Sequence, residues 1–237
     1  MAIPAWQYDE MKQAGTDYEA EDEIRIYDER MSRLRDIESE TAAIIETLGI
    51  GKSSVVLEYG TGTGSFAAAV SSHCRQVYAV DISAPMLTFA GKKAASMERK
   101  NIEFIRGGFL TYTHRGPAPD FVITQLALHH LPDFWKLIAL KNIHDILAPG
   151  GKLLLKDVVF SLQLEKYEKT IDYTVQAMEA AAGSDTGANF IRHIQQEYST
   201  FDWIMEEMLY RAGFIIEQAD YGELFLTTYV CTKDQTR

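Results

Sequence analysis

Positive charge is scarce in this chain. Against 34 aspartates and glutamates stand 23 lysines and arginines, a formal net charge of −11. So acidic a chain has little with which to hold a polyanionic backbone or an anionic bilayer face, which argues against nucleic acid and membrane as partners. The densest basic cluster, Lys92, Lys93, Arg99 and Lys100, is short, interleaved with small residues, and reads as a solvated helix face. Cysteine is nearly absent. Cys74 and Cys231 lie far apart without CxxC spacing, so neither a disulfide framework nor a zinc site is indicated, and the sequence shows no metal cluster. No apolar run approaches the roughly 20 residues that span a bilayer. The start, MAIPAWQYDEMK, has no basic segment followed by an apolar stretch and does not read as a signal peptide. Together these absences point to a cytoplasmic protein.

What is present is the composition of an ordinary globular domain, 46% hydrophobic and 24% charged over 237 residues. That length suits one α/β domain with a small cap. Residues 1–50 are acidic and helix-prone: Ile24, Met31, Leu34, Ile37, Ile44 and Leu48 recur at three- and four-residue steps, and Gly49 is a stop signal. From Ser54 the pattern becomes alternation. VVLEY reads as a buried strand, Ser65 to Ser72 as a helix, and QVYAVD as a second strand. Ser83 caps a helix with Pro85 in its first turn. NIEFIR and DFVITQL are the third and fourth strands; a helix follows Pro132, and KLLLKDVVF is the fifth.

Short apolar strands alternating with helices predict right-handed βαβ units and a doubly wound parallel sheet. The rhythm breaks at Ser161 to Arg211, a mostly helical stretch interrupted by GSDTG. FIIEQADY and LFLTTYVCTK then predict an antiparallel hairpin at the sheet edge, which is able to pair across a homodimer. The expected fold is α/β: seven strands, Rossmann-like, mostly parallel with the last strand antiparallel. The expected organisation is a helical lid over 1–50 and a catalytic domain over 51–237, with a helical insertion at about 161–212 between strands five and six.

Three glycines, Gly60, Gly62 and Gly64, join the first strand to its helix in VVLEYGTGTGSFAAAV. Such a loop brings backbone close to a ligand. A P-loop is excluded: GKS occurs at Gly51 to Ser53, but Glu46 stands where the motif needs glycine. A dinucleotide fingerprint needs a third glycine where Ser65 stands, and Glu58 beside the loop would repel a pyrophosphate. A ligand with a positive charge, an amino-acid end and a ribose suits both the loop and the acid. S-adenosylmethionine is such a molecule: its carboxylate is favoured near a helix N-terminus, and Asp81 ends the second strand where the ribose needs an acceptor.

EYGTGTG after strand one, AVDIS after strand two, GGFL after strand three, QLALHHLPD after strand four and LAPGGKLLLKD entering strand five carry a resemblance. From about Ser53 to Lys233 the chain resembles the class I S-adenosylmethionine-dependent methyltransferase family, of the small-molecule type. The resemblance implies a cofactor site built from Glu58, Gly60, Thr61, Gly62, Gly64, Asp81, Ile82, Met86, Gly108, Phe109 and Gln125. Glu58 and Thr61 replace the family's frequent Asp and Cys. Gly108 stands where many members carry an acid that accepts from the adenine amino group. It leaves that edge to a backbone group or to none, with Phe109 and Ile82 sandwiching the ring.

Methyl transfer needs an aligned acceptor and a dry site, and a general base only where the acceptor holds its proton. The candidates are His129 and His130 after strand four and Asp157 in strand five, with Asp157 orienting an imidazole or satisfying loop N–H groups. Tyr8, Tyr18, His193 and Trp203 are candidates for the acceptor pocket, set in the two helical segments that would roof it. The implied activity is transfer of a methyl group to O, N, S or C of a small molecule. Two rivals are another S-adenosylmethionine-using reaction on the same fold and a non-catalytic cofactor-binding sensor or partner subunit.

Overall fold

The structure, a computed structural model, describes residues 4–12, 24 and 36–234. Strands β1 (Val55–Tyr59), β2 (Gln76–Asp81), β3 (Ile102–Arg106), β4 (Phe121–Gln125) and β5 (Lys152–Phe160) are parallel neighbours in the order β3-β2-β1-β4-β5. Helices α1 (Ile37–Leu48), α2 (Ser65–Val70), α3 (Ala84–Ser96) and α4 (Asp133–Ile146) surround them. The sheet is completed by β7 (Phe214–Tyr221) and β8 (Leu226–Lys233); β8 lies antiparallel to both β5 and β7. An eighth strand, β6 (Thr200–Phe201), is only two residues long and pairs with the far end of β5, outside the seven-strand path.

Alternation along β1 divides the core. Val55, Leu57 and Tyr59 face Leu140 and Ile143 of α4 and Met205 and Leu209 of α7 (Asp202–Ala212). Val56 faces the other layer, with Ile44 and Leu48 of α1 and Phe66 and Val70 of α2. Every residue of β1 is buried, as a central parallel strand covered on both faces requires.

Between β5 and β6 lie α5 (Tyr167–Ala182) and α6 (Ser184–Gln196). Only Gly183 of the GSDTG stretch is non-helical; Ser184 already begins α6, so the expected interruption shrinks to one residue. Phe190 packs with Val158 and Phe225 in a small cluster of its own, which seats α6 on the sheet's carboxyl end.

Residues 4–12 form turns, with Gln7 N–H donating to Pro4 O at 3.0 Å and Lys12 N–H to Asp9 O at 3.2 Å. They depart from the helix expected across 1–50. Side-chain contacts to the third strand's loop, described below, hold this segment and override its helix propensity. Tyr18, Met31 and Leu34 lie outside the described residues. No helix among the described residues is long and apolar enough to cross a membrane.

Candidate active site

Strand order reverses at β1 and β4, and the loops leaving their carboxyl ends diverge to open a cleft. Counted out to its mouth, it encloses ≈ 870 Å³.

The glycine loop forms one wall. Gly64, at φ +73°, packs so close to α3 that a Cβ would stand 2.7 Å from that of Ala90. Gly62, at φ +52°, would meet nothing within 4 Å, because its open side borders the cleft. Its N–H donates to Asp81 Oδ2 at 2.7 Å, while Asp81 Oδ1 accepts from Ser83 N–H at 2.9 Å. Burial pushes the Asp81 pKa up in spite of these two donors. Glu58 lies behind the loop, accepting from Thr61 Oγ1 at 2.6 Å, and outside the cleft lining.

Opposite stands a group the sequence did not announce. Glu10, only 6% exposed, reaches over Gly108 and accepts from Leu110 N–H at 2.9 Å and Thr111 Oγ1 at 2.7 Å. A Cβ at Gly108 would lie 2.5 Å from its Cδ. Burial raises the Glu10 pKa against those hydrogen bonds. Gly108 and Phe109 line the cleft with Glu10, and the Phe109 ring stacks on Tyr59 at 4.8 Å. Ile82, Met86 and Gln125 also line it. So does Leu126, whose φ of +55° is uncommon for a branched side chain and marks a turn held by its N–H to Lys156 O at 2.8 Å.

The histidines divide. His130 lines the cleft, whereas His129 is turned inward between two carboxylates. Its Nδ1 bonds Asp157, and its Nε2 stands 3.3 Å from Glu197. Asp157 also accepts from the N–H groups of His129 at 3.0 Å and Val158 at 2.8 Å, so it both orients the ring and satisfies loop donors. Burial opposes charge on His129, but Asp157 and then Glu197 outweigh it and raise its pKa. Burial, then the adjacent His129, lowers His130 to about 3. Burial works to raise Asp157 and Glu197 too, yet both end lowered, Asp157 by His129 and Glu197 by His193 and His129.

His193 is part of this network rather than of the cleft: Nδ1 pairs with Glu197, and Nε2 lies 2.6 Å from Ser199 Oγ. Tyr8 is half-buried at the rim, its hydroxyl donating to His130 O at 3.5 Å. Trp203 stands outside. It is 66% exposed, because α7 turns Met205, Met208 and Leu209 inward and leaves Trp203 on the opposite side. Tyr18 lies outside the described residues. Glu10, Leu126 and Glu197 had no sequence signal; each acquires its place only through a partner distant in the chain.

Comparison with known proteins agrees with this fold. Residues 56–151 match the family model described as a methyltransferase domain. An uncharacterised methyltransferase of Bacillus mycoides (strain KBAB4) is 30% identical over 159 residues, 67% of this chain and 68% of that protein. Another, from Anoxybacillus flavithermus, is 29% identical over 182 residues, 77% of this chain and 79% of its own length. A SAM-dependent methyltransferase of known structure from Aquifex aeolicus shares the fold, with a TM-score of 0.59 at 16% identity, covering 81% of this chain and 88% of that one.

Proposed function

The chain belongs to the class I S-adenosylmethionine-dependent methyltransferase family, and we propose that it methylates a small molecule held in the cleft at the carboxyl ends of β1 and β4. The observation that carries this reading is the roof. Residues 4–12 close the cleft from one side through Gln7 Nε2 to Leu110 O at 3.5 Å, the Tyr8 hydroxyl and the Glu10 carboxylate. The α5–α6 insertion meets the histidine turn through Glu197, beside the cleft rather than across it. A space so covered favours a compact acceptor over a protein or nucleic-acid surface.

The residues present fit the cofactor. Gly62 opens on unfilled space, and Asp81 has an ionisable carboxylate at the cleft wall for the ribose. In this reading Glu10 supplies, from a different part of the chain, the carboxylate that Gly108 lacks, and it takes the adenine amino group. Ile82, Met86 and Phe109 flank the ring, and the Gln125 carbonyl region faces the amino-acid end.

When bound, S-adenosylmethionine supplies a methyl group already activated by its sulfonium, so the chain's work is to align an acceptor and exclude water. His130 stands on the acceptor side of the cleft. His129 and Asp157 act as positioning residues that fix the turn carrying it.

Incubation with methyl-labelled cofactor and a metabolite extract tests the reading. Label in a low-molecular-weight product is expected. Label confined to protein would refute a small acceptor, and cofactor binding without transfer to anything would favour the sensor.

A further inference from the structure

The geometry points to a divalent d-block cation site formed by His129 Nε2, His130 and a Glu197 carboxylate oxygen, beside the cleft that His130 lines. Among the described residues, these three each offer one ligating atom, and the three atoms lie within 4.8 Å of one another. For a metal about 2.0–2.1 Å from each ligand in a tetrahedral arrangement, the ligands stand roughly 3.4 Å apart. His129 Nε2 and Glu197 Oε2 are already 3.3 Å apart.

The surroundings have the character of a metal site's outer shell. Asp157 takes the Nδ1 side of His129, which leaves Nε2 as the ligating atom, the carboxylate–histidine arrangement that orients metal-bound imidazoles. His193, itself fixed by Ser199, braces Glu197. The backbone carrying Glu197 is tied to the histidine turn: Tyr198 N–H donates to His129 O at 2.8 Å, and the buried Lys136 ammonium donates to Tyr198 O. Thr200 Oγ1 completes the tie to Asp133 at 3.1 Å. His129 and Glu197 are therefore held beside each other before any ion arrives.

Charge and ligand chemistry agree. Asp157 and Glu197 have side chains only 1% and 5% exposed, and a dication would balance their two negative charges. Two imidazoles and one carboxylate suit zinc-like cations and are a poor match for calcium or magnesium, which take oxygen ligands. Three protein ligands leave a coordination position open, and His130 places it on the cleft.

What the site would take follows, and this part rests on the methyl-transfer reading. The open position fits an acceptor's thiol or hydroxyl. Coordination lowers that group's pKa, its proton leaves to solvent, and the remaining electron pair forms the new bond to the methyl carbon. The carbon–sulfur bond of the cofactor breaks in the same step, and its sulfonium becomes a neutral thioether.

The test uses the full chain, without a histidine tag, purified without chelator and equilibrated with zinc or cobalt(II). Elemental analysis is expected to find about one metal per chain, and cobalt(II) to give the visible bands of a four-coordinate nitrogen–oxygen site. Glu197→Gln and His130→Asn should each lower retained metal at least tenfold, and Asp157→Asn should weaken affinity about 10- to 100-fold. Circular dichroism and unfolding midpoints report whether each variant folds. Metal far below one per chain, absence of those cobalt bands in the unaltered protein, or retention unchanged in folded variants would overturn the site. Calorimetry with S-adenosylhomocysteine on the same samples reports the cofactor reading separately.

Discussion

The carboxylate of Glu10 occupies the space that a side chain at Gly108 would need: a Cβ there would come within 2.5 Å of Glu10 Oε2. Two residues 98 positions apart thus share one place in the cleft, and each constrains the other. A bulkier residue at 108 evicts Glu10, and without Glu10 the Gly108 position has no acid.

The first prediction follows from that exclusion. Glu10→Gln should weaken S-adenosylhomocysteine binding about tenfold, or ~1.4 kcal/mol, the scale of one hydrogen bond to a charged group. Gly108→Asp alone should lose as much, because two carboxylates cannot share the site. The double variant Glu10→Ala/Gly108→Asp should regain most of the affinity. Calorimetry that finds the double variant no better than either single change would separate Glu10 from adenine binding.

Asp81 gives a pH dependence of definite sign. Its pKa in the free chain is raised by burial above the ordinary aspartate value of about 3.9. The ribose hydroxyls donate to the ionised form, so bound cofactor favours ionisation and lowers the pKa of the complex. Affinity is therefore full above the free-chain pKa and falls as pH drops through it, with a limiting slope of about tenfold per pH unit. The fall should begin at higher pH than an exposed aspartate would produce. Calorimetry across the acidic range checks it, and Asp81→Asn should remove the Asp81 share of the slope along with most of the affinity, leaving the share of Glu10, whose pKa burial also raises. Constant affinity down to about pH 4 would take the ribose away from Asp81.

How much of this was legible beforehand depends on how local the cause is. β1, β2 and β5 begin and end where the apolar runs do, and Ser83 Oγ caps α3 by accepting from Met86 N–H at 3.3 Å, a signal contained within four residues. His129 and Asp157 could be placed near each other, since β4 and β5 are adjacent parallel strands with Gln125 opposite Lys156. Glu10 and Glu197 could not. Each hangs on a segment outside the βαβ repeat, and no periodicity says where such a segment lands. Leu126 was hidden for another reason: residue type argues against a positive φ there, and only the surrounding fold imposes it.

Lys136 tests how the insertion is fastened. Its ammonium is fully buried, donating to Asp133 Oδ1 at 2.7 Å and to the Tyr198 carbonyl. Lys136→Met keeps much of the side-chain volume but leaves that carbonyl without its donor. The expected loss is about 1.5–3 kcal/mol, the range for a hydrogen bond to a charged group, read from the denaturant midpoint. Activity should fall further than folding alone accounts for, because Tyr198 is the residue next to Glu197. An unchanged midpoint would mean that the insertion is held chiefly by the Phe190, Val158 and Phe225 cluster.

The roof itself is the last point of test. Of residues 4–12 only Tyr8 packs against the main core; Trp6 is 75% exposed and rests on Trp135 at a ring separation of 6.3 Å. Their side-chain hydrogen bonds to the rest of the chain run through Gln7, Tyr8 and Glu10, at and beside the cleft. Removing residues 1–12 should therefore leave the unfolding midpoint nearly unchanged. S-adenosylhomocysteine affinity should still drop at least tenfold, mostly through faster dissociation, since a cover that closes after binding slows escape more than entry. Stopped-flow measurement of both rates distinguishes this from a general loosening of the fold, which would lower the midpoint as well. Equal dissociation rates with and without the segment would mean that it decorates the cleft without closing it, and the case for a compact acceptor would lose its main support.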